Sequence, residues 1–401
     1  MHRLNNDCLT SIIFDVSWKS NEAVHQESFM AQKVNFWRDI FPPGMKEALT
    51  GLSSGEKTTL SYGHGQAVPS RKKEDVIRAD TSDFIHRRFL GKPVYPRKGR
   101  FFPRGLLGGR HFFPQDMRPC RILSAKNEIL KADCAHPLAD HEIQVTARVE
   151  DVARKECEVG GRMNHWMEEI LGKGPGMQAR MASKPTDFAG DKDFERTDQE
   201  DDRKFYDQPR FVEHIDSQAG TLLADEYGLE LKPGMHVLDL MSSVTSHLPG
   251  ELKVKVTGLG LNALEMEANP DLDSHLVHDL NRYPELPFPD ETFEAVICSL
   301  SVEYLTRPYH VIQESARVLK PGGILMISFS NRWFPPKVTR LWQELHEFER
   351  MGFVLDLFLH TEKLKGLKTM SIRNWQRPVD DPHIDQTWIS DPIYVVRGYK
   401  I

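Results

Sequence analysis

The second half of the sequence predicts an α/β fold in which helices alternate with the strands of a doubly wound parallel sheet. From residue 205 onward, apolar runs of strand length alternate with amphipathic helical patterns. Residues 237–240 form a buried-strand pattern that runs directly into the turn Met241-Ser242-Ser243. A strand, a tight turn and a helix together build the ligand-binding corner of such folds, because the N–H groups that start the helix can hold a polar ligand.

The composition limits the class of protein. With 401 residues the chain is long for a single core, which favours two domains. No apolar run approaches the ~18 residues of a membrane span, and the N-terminus carries no signal-peptide pattern, so we expect a cytoplasmic protein without a membrane segment. A net charge of −6 makes nucleic acid an unlikely partner. The five cysteines are spaced singly, which predicts reduced thiols and no metal site.

The first half is predicted to be β-rich, of the α+β class. Residues 11–17 and 57–62 have strand patterns, and residues 43–51 have the pattern of a short helix. Residues 128–132 and 142–152 are expected to form a strand pair around the turn 135–140. A short helix is expected at 162–171. Residues 187–203 are dense in acids, which predicts a flexible linker because such a run buries little apolar area.

The expected elements of the second half follow in chain order. Helices are predicted at 211–227, 262–268, 309–319 and 336–351. Strands are predicted at 235–240, 254–259, 275–278, 292–298, 324–329, 353–359 and 392–399.

Two motifs in this half identify a family resemblance. Residues 287–296 read PFPDETFEAV, and residues 317–323 read RVLKPGG just before a predicted strand. Residues 205–216, 242–249 and 328–332 add further similarity. Together, residues 205–401 resemble the class I S-adenosylmethionine-dependent methyltransferases of the type-11 group. The resemblance implies a Rossmann-like domain, S-adenosylmethionine as the cofactor and methyl transfer as the activity.

The resemblance also implies which residues bind the cofactor. Asp239 would anchor the cofactor loop or the methionine amino group; alternatively it caps the next helix. Asp279 matches the acid that contacts the adenine amino group, and Leu280 would supply backbone groups and an apolar wall; alternatively Asp279 is an exposed loop acid. The full predicted set is Asp239, Met241, Ser242, Ser243, Gly260, Leu261, Asn262, Asp279, Leu280 and Ser299.

Two positions depart from the family pattern. Gly260 stands where the family places the acid that binds both ribose hydroxyls, so we expect that an acid at 260 would tighten binding. Asn262 would replace that acid weakly, or it caps the next helix. Ser242 and Ser243 stand where glycines are usual, and their hydroxyls would bind the cofactor carboxylate or cap the helix.

The acceptor is expected at loops that follow the strands. Methyl transfer is an in-line displacement, which depends more on a positioned nucleophile than on acids and bases. Glu303 and Tyr304 are the catalytic candidates, and Glu303 is the only plausible base among these loops; alternatively it is a solvated acid. Tyr206, Arg210, Asn331 and Arg332 are the predicted substrate-binding residues.

The first half carries a second resemblance. Residues 43–57 and 130–142 are similar to segments of SlyD-like members of the FKBP-type prolyl isomerases, with residues 84–121 as the chaperone-like insert. Phe14 and Val68 replace polar aromatic residues of that family, so a degenerate isomerase is expected. The resemblance implies a polypeptide partner.

The domain limits expected from these patterns are 10–155 for the FKBP-like domain, 156–204 for a helix and acidic linker, and 205–401 for the methyltransferase domain. The predicted function is methyl transfer to an unidentified acceptor by a chain that also carries a chaperone-like module. The alternative is a non-catalytic peptide-binding or chaperone-like protein with an inactive methyltransferase fold.

Overall fold

The computed structural model describes residues 2–84, 88–89, 92–108, 112–158, 160–190 and 192–401. The chain divides into two compact units. The first unit contains Met1–Phe188 and His346–Gly352, and the second contains Ala189–Leu345 and Phe353–Ile401. No helix among the described residues is long and apolar enough to cross a membrane.

The first unit is built mainly from antiparallel strands. A four-stranded sheet has the order β2-β1-β10-β3, a second has the order β4-β9-β8-β7, and β5 pairs with β6. Its elements are β1 (Cys8–Lys19), β2 (Val24–Asn35), α1 (Met45–Leu49), β3 (Lys57–Tyr62), β4 (Val76–Asp80), β5 (Arg88–Phe89), β6 (Lys92–Pro93), β7 (Phe101–Pro103), β8 (Pro119–Lys126), β9 (Ile129–Asp133), β10 (Ile143–Arg154) and α2 (Trp166–Leu171).

The strand pair predicted at 128–132 and 142–152 is wrong in its partners. Strand β9 pairs with β4 and β8, whereas β10 pairs with β1 and β3. The connection between them contains Leu138, which is fully buried. This connection, with Leu138 buried in it, leads from β9 in one sheet to β10 in another and does not close a hairpin. Of the insert expected at 84–121, residues 85–87, 90–91 and 109–111 lie outside the described part of the chain.

Two cysteines that look isolated in the sequence lie together in the first unit. Cys120 is on β8, and Cys134 directly follows β9, the neighbouring strand. Both side chains are buried, and the Cys120 thiol donates to the Phe102 carbonyl at 3.2 Å. The sequence spacing gave no sign of this pair because the pairing of β8 with β9 was not predicted.

The second unit is an α/β sheet of the predicted doubly wound, Rossmann-like type. Its strand order is β13-β12-β11-β14-β15-β17-β16; the first five strands are parallel, and β17 is antiparallel to both of its neighbours. Its elements are α3 (Asp202–Phe205), α4 (Ser217–Gly228), β11 (His236–Leu240), β12 (Lys255–Gly260), α5 (Ala263–Glu267), β13 (Ser274–Val277), β14 (Phe293–Ser299), α6 (Pro308–Val318), β15 (Leu319–Phe329), α7 (Arg340–Glu344), the part of α8 (Glu347–His360) that follows Gly352, β16 (Leu364–Arg373) and β17 (Ile393–Lys400).

The order in which the chain adds strands to the sheet reverses between β11 and β14, although these two strands are parallel. From β11 the chain builds outward through β12 and β13, and it then returns to place β14 on the other side of β11. Such a switch point opens a crevice at the carboxyl ends of the strands, which is where doubly wound sheets bind ligands.

Two predicted elements of the second half are wrong, and one strand, β16, was missed. Residues 353–359 form part of helix α8, not a strand, and the single helix predicted at 336–351 is replaced by α7 and the start of α8. The run at 353–359 is apolar except for Asp356 and is almost completely buried, so its pattern could not distinguish a buried strand from a buried helix.

The acidic segment before the sheet of the second unit is partly packed. Asp202 is buried and pairs with Arg196 at 2.8 Å. Lys337 is fully buried and lies 2.9 Å from Asp198 and 3.1 Å from Asp202. This differs from the flexible linker expected across 187–203, because buried cations hold the acids that the sequence alone would leave in water. The domain limits drawn from the sequence remain predictions.

Candidate functional site

A cavity of about 490 Å³ lies at the carboxyl ends of the parallel strands in the second unit. Its walls come from the residues that follow each strand and from the segment before α4. It is lined by Asp202, Tyr206, Arg210, Glu213, His214, Ile215, Asp239, Met241–Thr245, His247, Gly260–Asn262, Glu265, His278–Asn281, Ser299–Ser301, Tyr304 and Asn331–Phe334. Every predicted cofactor-binding and substrate-binding residue is in this set.

Asp239 holds the loop that follows β11. Its Oδ2 accepts hydrogen bonds from the hydroxyls of Ser242 and Ser246, both at 2.7 Å. Burial raises the pKa of Asp239 to about 6, against the opposing effect of the two hydroxyls. These hydrogen bonds anchor the loop that follows β11, which is one of the roles expected for Asp239.

Met241 adopts a backbone conformation that usually requires a glycine. Met241 has φ of 58°, the left-handed region that residues with a β-carbon rarely adopt. The turn is fixed by the Ser242 N–H, which donates to the Leu259 carbonyl at 2.9 Å. The turn after β11 therefore forms with Met241 in a strained backbone conformation.

The missing ribose acid has a steric explanation. A β-carbon on Gly260 would overlap the carbonyl oxygen of Ser242 and would lie 3.0 Å from the sulfur of Met266. The expectation that an acid at 260 would tighten binding is therefore wrong, because backbone of the preceding loop occupies the space that such a side chain would need.

Asn262 and Glu265 act together at the start of α5. Asn262 Oδ1 accepts the Glu265 N–H at 3.1 Å, and its Nδ2 donates to the Tyr206 carbonyl at 2.8 Å, so it caps the helix. The Glu265 carboxylate accepts from the Ser243 hydroxyl at 2.6 Å and from the Arg210 N–H at 2.7 Å. Sequence reasoning missed Glu265; its signal was the Asn-x-x-Glu spacing that is typical of a helix start.

Asp279 and Ser299 complete the cofactor end of the cavity. Asp279 Oδ1 accepts the N–H groups of Asn281 at 3.0 Å and Arg282 at 3.2 Å. Among the described residues nothing hydrogen-bonds to its Oδ2, which leaves that oxygen available to a donor. The Ser299 hydroxyl pairs with the Tyr227 hydroxyl at 2.7 Å.

The two catalytic candidates differ in position. Tyr304 lines the cavity, and its hydroxyl accepts the Phe334 N–H at 2.8 Å. Burial raises the pKa of Tyr304 well above its usual value, so the hydroxyl stays neutral. Glu303 is 1% exposed and does not belong to the cavity lining, so the structure does not bring the predicted base to the site.

Three histidines that were not predicted as site residues line the cavity, and two of them, His214 and His247, have lowered pKa values. Burial lowers the pKa of His247 to about 4 and lowers that of His214, with the charge of Arg210 opposing protonation of His214 further. Both imidazoles are therefore neutral near pH 7 and can accept a proton or a hydrogen bond. His214 lies within the 205–216 segment that resembles the family, which was the only signal for it.

The comparisons with known proteins agree with this geometry. A family model described as "Methyltransferase domain" matches residues 244–327. A demethylmenaquinone methyltransferase of Paenarthrobacter aurescens is 32% identical over 181 residues, which are 43% of this chain and 67% of the relative. The chain belongs to the class I S-adenosylmethionine-dependent methyltransferases.

Other relatives of this methyltransferase match over shorter stretches. A 27-O-demethylrifamycin SV methyltransferase of Amycolatopsis mediterranei is 31% identical, over 27% of this chain and 44% of its own. A ubiquinone/menaquinone biosynthesis C-methyltransferase of Laribacter hongkongensis is 30% identical, over 27% and 48%. The methyltransferase thus spans about half the length of these relatives. A solved S-adenosylmethionine-dependent methyltransferase from Aquifex aeolicus is 20% identical, with a TM-score of 0.31, over 50% of this chain and 97% of its own.

Membership of this family gives the methyltransferase its cofactor, S-adenosylmethionine. The residues present fit that group at three points. The loop after β11 lies so close to β12 that it leaves no room for a β-carbon at residue 260. Among the described residues, nothing hydrogen-bonds to the Oδ2 atom of Asp279. Carboxylates also line the cavity in which a cationic ligand would bind.

Proposed function

We propose that the second unit transfers a methyl group from S-adenosylmethionine to a small acceptor bound in the same cavity. The observation that carries the proposal is one cavity lined both by the acids Asp239 and Asp279 and by the aromatic rings of Tyr206 and Phe334. A cationic cofactor suits the acids, and a separate acceptor fits against the rings. The names of the relatives, which concern quinones and a rifamycin, favour a small acceptor over a polypeptide.

The chain's own residues bind and orient. When bound, S-adenosylmethionine would supply a methyl group whose carbon accepts an electron pair from the acceptor, while the electron pair of the broken carbon–sulfur bond stays on sulfur. Asp239 keeps the loop after β11 in place through Ser242 and Ser246. The Oδ2 atom of Asp279 would accept a hydrogen bond from the adenine amino group.

We also propose that the first unit is a polypeptide-binding module with weak prolyl isomerase activity, as its FKBP-like motifs imply. Phe14 is fully buried and Val68 is 7% exposed, so neither side chain offers a polar contact to a substrate backbone. The alternative of an inactive methyltransferase fold differs from the main proposal in a measurable way, since an inactive fold need not bind the cofactor product.

The decisive experiment is calorimetric titration of the full chain with S-adenosylhomocysteine. Binding is expected, and Asp279→Asn should weaken it about tenfold or more, because a hydrogen bond to a charged group contributes about 1.5–3 kcal/mol. Asp225→Asn is the matched control, an exposed acid on α4 outside the cavity lining. Absence of heat at millimolar ligand, or equal loss in both variants, would contradict the proposal.

A further inference from the structure

The acceptor end of the cavity is lined by aromatic rings around Phe334. The ring centroid of Phe334 lies 6.1 Å from that of Tyr304, 6.5 Å from that of Tyr206 and 5.4 Å from that of His214. Rings at these separations and tilts form a rigid apolar wall that suits a flat ligand.

A cation with no carboxylate partner is embedded in this wall. The Arg210 guanidinium carbon lies 4.5 Å from the ring centroid of Phe205, 5.6 Å from that of Tyr206 and 5.3 Å from that of Phe334. Its Nη2 donates to the Phe205 carbonyl at 2.9 Å, and its Nη1 is buried with no hydrogen-bond partner among the described residues. Rings stabilise a cation but do not neutralise it, so its positive field extends into the cavity.

A second arginine at this end is only weakly paired. Arg332 Nη1 lies 3.9 Å from Asp391 Oδ1, and that oxygen already accepts from Arg377 at 2.7 Å. The Arg332 side chain is 40% exposed and lines the cavity.

The nearby carboxylates are committed to other partners. Asp202 pairs with Arg196 and Lys337. Glu265 accepts from the Ser243 hydroxyl and the Arg210 backbone. Burial raises the pKa of Glu213. Among the described residues, none of these carboxylates hydrogen-bonds to the Arg210 guanidinium, so its Nη1 is open to an anionic group of a ligand.

We propose that the acceptor of this methyltransferase is a flat aromatic molecule that carries an ionised oxygen, and that Arg210 sets the selectivity for the anion. The inference deepens the proposed function and rests on it. In the step, the acceptor oxygen forms a bond to the methyl carbon while the methyl–sulfur bond breaks and its electron pair stays on sulfur. Where the oxygen arrives protonated, the neutral imidazole of His214 takes the proton. An amine acceptor is disfavoured because its cationic form is repelled by Arg210.

The test compares three flat probes on the full chain without cofactor: 2-naphthoate, its neutral analogue 2-naphthamide, and the N,N,N-trimethylanilinium cation. Calorimetry should show naphthoate binding about tenfold tighter than naphthamide, and no binding of the cation. Arg210→Met should remove the preference for naphthoate while leaving naphthamide affinity unchanged, and Arg210→Lys should keep it in part. Arg307→Met is the control, an exposed arginine outside the cavity lining.

Equal affinity of the wild-type chain for naphthoate and naphthamide would overturn the inference, as would a preference that survives in Arg210→Met. If Arg210→Met does not fold, the wild-type comparison and its weakening by salt still decide the matter. A parallel titration with S-adenosylhomocysteine separates the two proposals, because loss of cofactor binding with retained naphthoate selectivity contradicts only the proposed methyl transfer.

A different observation, in the first unit, carries a second inference. Arg121 and Asp133 lie directly opposite each other on β8 and β9, so the next pair in register is Cys120 and Cys134. The Cys134 N–H donates to the Asp75 carbonyl at 2.8 Å, on the side away from β8. The two cysteines therefore occupy the positions of a non-hydrogen-bonded pair, in which antiparallel strands typically place the Cα atoms about 4.5 Å apart, within the range that a disulfide accepts.

The chemistry of the pair favours oxidation. The neighbouring Cys120 thiol and the Arg104 guanidinium lower the pKa of Cys134 against the effect of its burial, while the pKa of Cys120 is raised. Arg104 also donates to the Cys134 carbonyl. Cys134 therefore gives up its proton more readily than Cys120 does, and the two thiols lie on neighbouring strands.

We infer that Cys120 and Cys134 form a reversible disulfide when the chain meets a hydroperoxide. The Cys134 thiolate attacks the peroxide oxygen, the O–O bond breaks, and a sulfenic acid and hydroxide form. The Cys120 sulfur then bonds to the Cys134 sulfur, its proton leaves with the sulfenic oxygen as water, and a reductant restores both thiols.

Intact mass spectrometry after brief hydrogen peroxide treatment tests this inference. The wild-type chain should lose two hydrogens, and peptide mapping should link residues 120 and 134. Cys120→Ser should instead retain an added oxygen, and Cys298→Ser, which removes another buried thiol, should behave like the wild type. Failure of the 120–134 link to form, or a link through exposed Cys157 instead, would overturn it.

Discussion

Ser242 and Gly260 compete for the same space: the carbonyl oxygen of Ser242 lies where a β-carbon on residue 260 would be. The two departures from the family pattern are therefore one structural feature. The backbone of the glycine-free loop after β11 lies against the end of β12, so β12 must end in a residue without a side chain.

Replacing Gly260 with Asp should destabilise the second unit instead of restoring a ribose contact. Overpacking against fixed backbone typically costs about 1–3 kcal/mol. Thermal unfolding should show the loss, and calorimetry should show weaker binding of S-adenosylhomocysteine. Gly250→Ala is the matched control, because no atom lies within 4 Å of a β-carbon there. A stable Gly260→Asp variant that binds more tightly would contradict the overlap.

Asp239 should make the stability of the second unit depend on pH. Its pKa in the folded state is about 6, above the ordinary value of an aspartate in water, so the folded state holds the proton more tightly. Its contribution is therefore fully present below about pH 4 and is lost as the pH rises through 6. Two pKa units correspond to roughly 2–3 kcal/mol.

The measurement is chemical unfolding of the wild-type chain and of Asp239→Asn at pH 4.5 and pH 7. The asparagine variant should gain stability relative to the wild type between these values, because it carries no charge to bury. A constant difference between the two proteins across this range would show that Asp239 does not titrate there.

Lys337→Met should be strongly destabilising. Its fully buried ammonium also donates to the Glu200 carbonyl at 2.9 Å, and removal of one partner from a buried ion pair typically costs about 3–5 kcal/mol. Urea unfolding measures the loss, with Lys253→Met as the exposed control. Equal stabilities of the two variants would mean that the cluster contributes nothing.

The full chain should be a poor prolyl isomerase. Phe14 packs in the core of the first unit between strands β2 and β10, which leaves no polar group at this position to twist an X-Pro bond. The rate of a proline-limited refolding reaction should rise only slightly at equimolar chain. Acceleration equal to that of an intact FKBP-type isomerase would refute this prediction.

The sequence predicted that Asp239, Gly260 and Asp279 line one cavity, and for a physical reason. Carboxyl ends of parallel strands meet at one edge, so Asp239, Gly260 and Asp279 could be placed together once their strands were recognised. Glu303 failed because it lies in a short turn whose residues Val302 and Tyr304 are also buried, and the sequence does not specify which of the three faces the cavity.

The acceptor end was harder to predict. The Arg210 guanidinium contacts the rings of residues 205 and 334 and has no carboxylate partner among the described residues. The Glu265 carboxylate accepts a hydrogen bond from Ser243, a loop residue far from it in sequence. Partnership of this kind is a property of tertiary packing, which local patterns do not encode. The same holds for residues 353–359, where uniform burial erased the periodicity that distinguishes helix from strand.

The buried ammonium of Lys337 also determines where the methyltransferase fold can be cut. The motifs that identify the family begin at residue 205, and a shortened protein would naturally be started there. Such a chain would lack Asp198, Asp202 and the Glu200 carbonyl, and it would leave a charged amine in its interior with none of these partners. A version meant to fold alone has to begin before residue 196, so the smallest folding piece of this protein is longer than the stretch by which its family is recognised.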